Sequence, residues 1–141
     1  MATPHETFQA MLRASGNSLT RARLRVFEAL VGQEPLSMHQ LVDAAEGADR
    51  ASVYRAIDLF EQLGIVQRLN TGWKYRIELT DKFAEHHHHC TCTRCGKTVA
   101  LNEEELERLV ATLAARHGFT PTAHQIELQG ICAQCQAPQA A

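Results

Sequence analysis

The chain has 141 residues, of which 45% are hydrophobic and 21% charged, with a formal net charge of −2. That length suits one ordinary domain or two small ones, and the apolar content excludes wholesale disorder. The longest apolar-biased run, residues 109–115, falls far short of the roughly 20 residues a membrane helix needs. The N-terminus has no basic-then-apolar leader pattern, so a cytoplasmic protein without a membrane partner is expected. The charge is unevenly spread. Residues 1–76 hold nine Lys/Arg against eight Asp/Glu, and residues 77–141 hold five against eight. Arg13, Arg21, Arg23 and Arg25 cluster in the first half, which on charge alone reads as a solvated helix face.

In chain order, Thr20 is an N-cap for a helix over residues 21–31, with Leu24, Phe27, Leu30 and Val31 at helical spacing and Gly32 as its stop. Ser37 and Gln40 form a capping box for a second helix running to about residue 47. Asp49 caps a third, in which Val53, Ile57, Phe60 and Leu63 keep the 3.6-residue period up to Gly64. The short interval between the second and third helices is that of a helix-turn-helix. Large apolar residues then alternate with charged ones over residues 73–79, the pattern of a half-buried strand. Residues 70–72 provide a turn back to a partner strand at 65–69. Three helices and a β-hairpin make a winged helix-turn-helix over residues 1–81. Lys74 and Arg76 lie opposite Trp73 and Tyr75, offering cations to phosphates while the aromatics sit on the core.

A second unit is expected over residues 82–141, which makes the chain α+β: a winged helix-turn-helix and a small α/β dimerisation domain. It should hold a strand through the histidines and a strand at 97–101. A helix follows, capped by Asn102 and Glu105 and ended by Gly118, then a strand at 125–130. The helix is expected to pack Leu106, Leu109, Val110 and Leu113, and residues 136–141 to fray. Sixty residues is a thin allowance for an independent core, so a metal staple or a partner subunit is expected.

Four of the five cysteines form two C-x-x-C pairs, Cys92/Cys95 and Cys132/Cys135. Each such turn points two sulfurs at one ion, and two turns complete a closed tetrahedral zinc shell, which leaves no open position for catalysis. Redox dithiols or buried free cysteines are the alternative reading. The 36 residues between the pairs mean that the site clasps an inserted sheet and helix. The run His86-His87-His88-His89 is internal, and on a strand it places His86 and His88 on one face and His87 and His89 on the other. Each pair needs further ligands; Glu78, Glu107 and His124 are candidates. Cys90 shares the His86/His88 face and reads as a buried thiol.

Taken together, Ser52-Val53-Tyr54-Arg55, a wing, the histidine strand, Cys92-x-x-Cys95-Gly96-Lys97, His117-Gly118-Phe119 and Cys132-x-x-Cys135 closely resemble the ferric uptake regulator (Fur) superfamily over residues 8–136. The resemblance implies a cytoplasmic, homodimeric, metal-dependent repressor that binds double-stranded operator DNA and is not an enzyme. It implies structural Zn2+ on Cys92, Cys95, Cys132 and Cys135, and a second divalent ion, Zn2+ or Fe2+. One regulatory site falls on His86, His88, Glu107 and His124, where iron-responsive members often carry aspartate at the His88 position. The other, at the hinge, falls on His87 and His89 with Glu78. The family's usual histidine before the second helix is replaced by Pro35, with His39 four residues later. Tyr54 and Arg55, with Ser52, match the family's recognition-helix contacts, and Arg23 matches a DNA-approaching residue of the first helix. The basic residue usual before Thr20 is absent, which shifts backbone anchoring to Arg13 or Arg21. A peroxide- or stress-responsive regulator of the same family is the nearest alternative. A zinc hydrolase lacks H-E-x-x-H, and a metal-trafficking protein has no need of a complete winged helix.

Overall fold

The computed structural model describes residues 1–70 and 74–138; Thr71 and Gly72 of the expected turn, and Trp73, lie outside the described residues. The chain divides into two units, Met1–Glu85 and His86–Ala141.

The N-terminal unit holds four helices and a hairpin: α1 (Pro4–Ala14), α2 (Arg21–Leu30), α3 (Met38–Ala44), α4 (Arg50–Gln62), β1 (Val66–Asn70) and β2 (Tyr75–Leu79). Helix α1 is additional to the expected three. Its signals are a Thr3/Glu6 capping box and Pro4 in the first turn, and it buries Phe8 and Leu12. Phe8 stacks on Phe27 with ring centroids 4.1 Å apart and meets Phe60 edge-on at 5.2 Å, so α1 ties α2 to α4. The expected caps are present: Thr20, Ser37 and Asp49 each accept the backbone N–H three residues on. Helix α3 stops at Ala44, earlier than its period suggests. Gly64 ends the turn after α4 at φ +69°, a left-handed conformation that glycine adopts without strain. Strands β1 and β2 pair antiparallel from Val66–Leu79 to Asn70–Tyr75, and Leu36 bridges to Ile77. Phe83 packs on this core, which keeps the segment after β2 with the N-terminal unit.

The C-terminal unit contains β3 (His88–Cys92), β4 (Thr98–Leu101), α5 (Glu104–Arg116), β5 (Glu127–Gly130) and a short α6 (Ala133–Gln136). The sheet order is β4-β3-β5, with β3 antiparallel to β4 and parallel to β5. Three expectations are corrected. Helix α5 is capped by Glu103, with no side-chain hydrogen bond, rather than by Asn102, because the backbone N–H groups of Leu106 and Glu107 already bond Glu103 O. Its apolar stripe is only partly covered within the chain: Leu106 and Val110 are half-buried, whereas Leu109 is 53% exposed and Leu113 43%. Of the tail expected to fray, Gln136 closes α6 by bonding Cys132 O, and residues 139–141 lie outside the described residues. Among the described residues of this unit the buried side chains are Cys92, His88, His89, Thr91 and Thr98, with no aliphatic residue.

Candidate metal centres and nucleic-acid interface

The cysteine cluster is assembled by local backbone turns. After Cys92, the Gly96 N–H returns to Cys92 O at 2.9 Å, and Gly96 takes φ +77° to let the chain pass back into β4. The second pair lies at the start of α6, and Arg94 Nη1 donates to Cys135 O at 2.8 Å, tying one turn to the other. The four sulfurs lie within 4.8 Å of one another, and Cys95 Sγ is 3.8 Å from Cys132 Sγ. Tetrahedral Zn–S bonds of about 2.3 Å put sulfurs about 3.8 Å apart, so the separation suits that ion. The protonation energetics agree. The backbone N–H of Cys132, 3.3 Å from Cys92 Sγ, together with that of Cys95, lowers the Cys92 thiol to about 6. The neighbouring Cys132 thiol and burial raise Cys135 to about 12. The cluster readily yields one thiolate and resists becoming four; a dication supplies the missing charge compensation.

The second cluster joins the strand entry to α5. Glu107, in the first turn of α5, takes His88 Nε2 at 2.7 Å on Oε1 and His124 Nε2 at 2.9 Å on Oε2. His86 Nε2 stands 3.7 Å from Oε1 and 3.1 Å from His124 Nε2. The Ile126 N–H donates to His88 Nδ1 at 3.2 Å and fixes that ring's orientation. Desolvation raises the Glu107 carboxyl, but the hydrogen bonds and positive charge of His88 and His124 outweigh it and hold the pKa below its usual value. Three imidazoles around an ionised carboxylate form a donor set that fits a borderline divalent ion.

The expected alternation of histidines holds: His86 and His88 rings meet at 4.7 Å, His87 and His89 at 4.8 Å. Strand β3 itself begins only at His88. Glu78, expected on an open polar face of the wing, is instead 5% exposed and accepts Gln67 Nε2 at 2.6 Å. Cys90, expected to be buried, is half-exposed, because its cross-strand neighbours Val99 and Leu128 lie on an uncovered sheet face. His39 is exposed on α3 with its Nε2 3.5 Å from Asp43.

On the N-terminal unit, Tyr54 and Arg55 stand on the exposed face of α4. Asp49 accepts the Ser52 backbone N–H and hydroxyl at 2.9 and 2.8 Å, and Ser52 Oγ accepts Arg55 Nη2 at 3.2 Å. Thr20, Arg23, Ser52 and Arg55 line one concave surface between α2 and α4. Arg23 Nη1 donates to Ser18 O at 2.6 Å. Arg76, expected to face phosphate, donates instead to Pro35 O and Gln40 Oε1 at 3.3 and 3.1 Å, fastening the wing to α3. Lys74 remains exposed at the start of the wing strand. Sequence reasoning missed Arg50, whose guanidinium lies 5.3 Å from the Tyr54 ring centroid. The available signal was its position four residues before Tyr54 on the same helix face.

A winged helix with a cationic recognition helix, joined to a unit rich in convergent thiols and imidazoles, defines a metal-dependent, DNA-binding transcription regulator. The profile of the ferric uptake regulator family matches residues 14–129. The chain is 36% identical over 132 residues to the ferric uptake regulation protein of Escherichia coli K12, covering 87% of this chain and 86% of that protein. The Vibrio cholerae ferric uptake regulator structure is similar with a TM-score of 0.71 at 29% identity, over 89% of this chain and 99% of that one. The fold of the Helicobacter pylori regulator also matches, with a TM-score of 0.82 at 20% identity, over 99% and 97% of the two chains. The chain belongs to the ferric uptake regulator family. The family consists of transcription regulators rather than enzymes, which sets the hydrolase reading aside. Among the described residues, no helix is long and apolar enough to cross a membrane.

Proposed function

We propose that this regulator is a cytoplasmic, homodimeric repressor of metal-homeostasis genes, directed to double-stranded operator DNA by the occupancy of its histidine sites. Cys92, Cys95, Cys132 and Cys135 are assigned to a structural Zn2+. His86, His88, Glu107 and His124 are assigned to a second divalent ion, Zn2+ or Fe2+. The observation that carries the reading is Glu107, which already gathers His88 and His124 within 2.9 Å of its two oxygens. A divalent ion held by these residues would supply positive charge in place of the hydrogen bonds among them, with Glu107 as its ionised carboxylate ligand.

Following the family resemblance, Glu78, His87 and His89 are assigned to the regulatory site that couples metal to DNA. A ligand shifts a conformational equilibrium only by its preference for one state, so this site must bind metal more tightly in the DNA-competent form. Ser52, Tyr54 and Arg55 on α4, with Arg23 and Lys74, are assigned to DNA. Arg76 belongs with them only through the wing, which it fastens. Dimerisation is supported by α5, whose Leu109 and Leu113 stay exposed on a unit without an aliphatic core.

Metal analysis of protein purified without chelator tests the assignment. Glu107→Ala should lose one metal equivalent per chain and keep the thiolate-bound zinc. Unchanged metal content in Glu107→Ala would remove the second site from the proposal.

A further inference from the structure

We propose that Arg50 is a specificity-determining residue of the DNA interface, reading a guanine edge in the major groove while Tyr54 holds its guanidinium in position. The inference rests on the assignment of α4 as the DNA-facing helix. The exposed face of α4 is polarised: Arg50, Ala51, Tyr54 and Arg55 lie toward its N-terminus, Asp58 and Glu61 toward its C-terminus. Arg68 of β1 neutralises the acidic end, with Nε 2.8 Å from Glu61 and Nη2 3.4 Å from Asp58. The cationic end is therefore the N-terminal turn, the part of a recognition helix that meets base edges.

Arg50 is the first residue of that helix. Its guanidinium lies over the Tyr54 ring and donates from Nη2 to the Tyr54 hydroxyl at 3.3 Å. Among the described residues no carboxylate pairs with it, in contrast to Arg25, Arg68 and Arg108. The contact with Tyr54 restrains the guanidinium and uses one of its five donors, leaving others for two further acceptors. Guanine O6 and N7 present that acceptor pair in the major groove. Ala51, exposed beside Arg50, keeps the helix surface low enough for close approach. Arg55 differs, since its guanidinium is tethered through Ser52 to Asp49.

The test selects binders from a duplex DNA library with a randomised centre, using zinc-loaded full-length protein and its Arg50→Ala and Arg50→Gln variants. The wild type should enrich a motif with guanine at one fixed position per half-site. Arg50→Ala should keep the rest of the motif and lose the guanine preference, a discrimination of about 5- to 150-fold. Arg50→Gln carries an amide that matches adenine N6 and N7 rather than guanine, so it should lose the guanine preference; it carries the test alone if the alanine variant misfolds. An unchanged motif with uniformly weaker binding and a salt slope smaller by about one phosphate in Arg50→Ala would overturn the inference. Retained guanine preference in Arg50→Gln would overturn it too. Failure of the wild type to enrich any motif would overturn this inference and the operator-binding proposal together.

Discussion

Asp49 performs two tasks at the start of α4. It caps the helix by accepting the Ser52 N–H, and through the Ser52 hydroxyl it orients Arg55. The backbone hydrogen bond of Ser52, followed by its hydroxyl, holds the Asp49 carboxyl below its ordinary value of 3.8. A carboxyl whose folded pKa is depressed contributes stability above the unfolded value and loses it as pH falls through the folded one. The contribution of Asp49 is therefore complete above pH 3.8 and declines below it. Asparagine caps without ionising, so the difference in melting midpoint between the wild type and Asp49→Asn should shrink on acidification below that value. A constant difference across the acid range would contradict this account. At this scale the convergence of the four thiols and the pairing of the histidines were legible, because C-x-x-C spacing and strand alternation encode that geometry directly. Which arginines are engaged was not: Arg76 meets Pro35 and Gln40 from 36 or more residues away in sequence, a pairing only the folded hairpin creates.

Helix α4 shows what an element carries. Its buried side, Val53, Ala56, Ile57 and Phe60, fixes the roll that leaves Tyr54 and Arg55 exposed. Ile57→Ala should destabilise the N-terminal unit by about 2–5 kcal/mol, as expected for a fully packed aliphatic side chain. DNA affinity should fall with it, and zinc content should not. Loss of zinc together with the fold would refute the separation of the two units' energetics. Helices α2, α3 and α4 were legible from caps and period. The cap of α5 was misplaced by one residue because Asn102 and Glu103 compete for one helix start, and only the Glu103 carbonyl bonds decide it. Burial of the α5 stripe was illegible for a different reason. Periodicity reports that a face is apolar, and it does not report whether the same chain or another copy covers it.

At the scale of the molecule, the two units are stabilised by different means. The N-terminal unit packs three phenylalanines against aliphatic side chains. The C-terminal unit buries thiol, imidazole and hydroxyl groups, so under the proposed function its folding free energy rests on metal and on a second copy. Structural zinc contributes on the order of 10 kcal/mol to such a unit, more than its own packing can replace. Cys95→Ser should therefore dissociate the dimer and unfold the C-terminal unit while the winged helix stays folded. A dimer with an unchanged thermal midpoint would disprove the structural-zinc assignment. The central claim is that metal occupancy sets DNA affinity, and the most direct measurement is the affinity for the duplex enriched by the wild type, with and without added zinc. The wild type should gain about 5- to 150-fold, the usual range of such coupling. His87→Ala and His89→Ala should stay folded and zinc-containing yet gain nothing. Equal wild-type affinity in the two conditions, or a full gain in both histidine variants, would contradict the account.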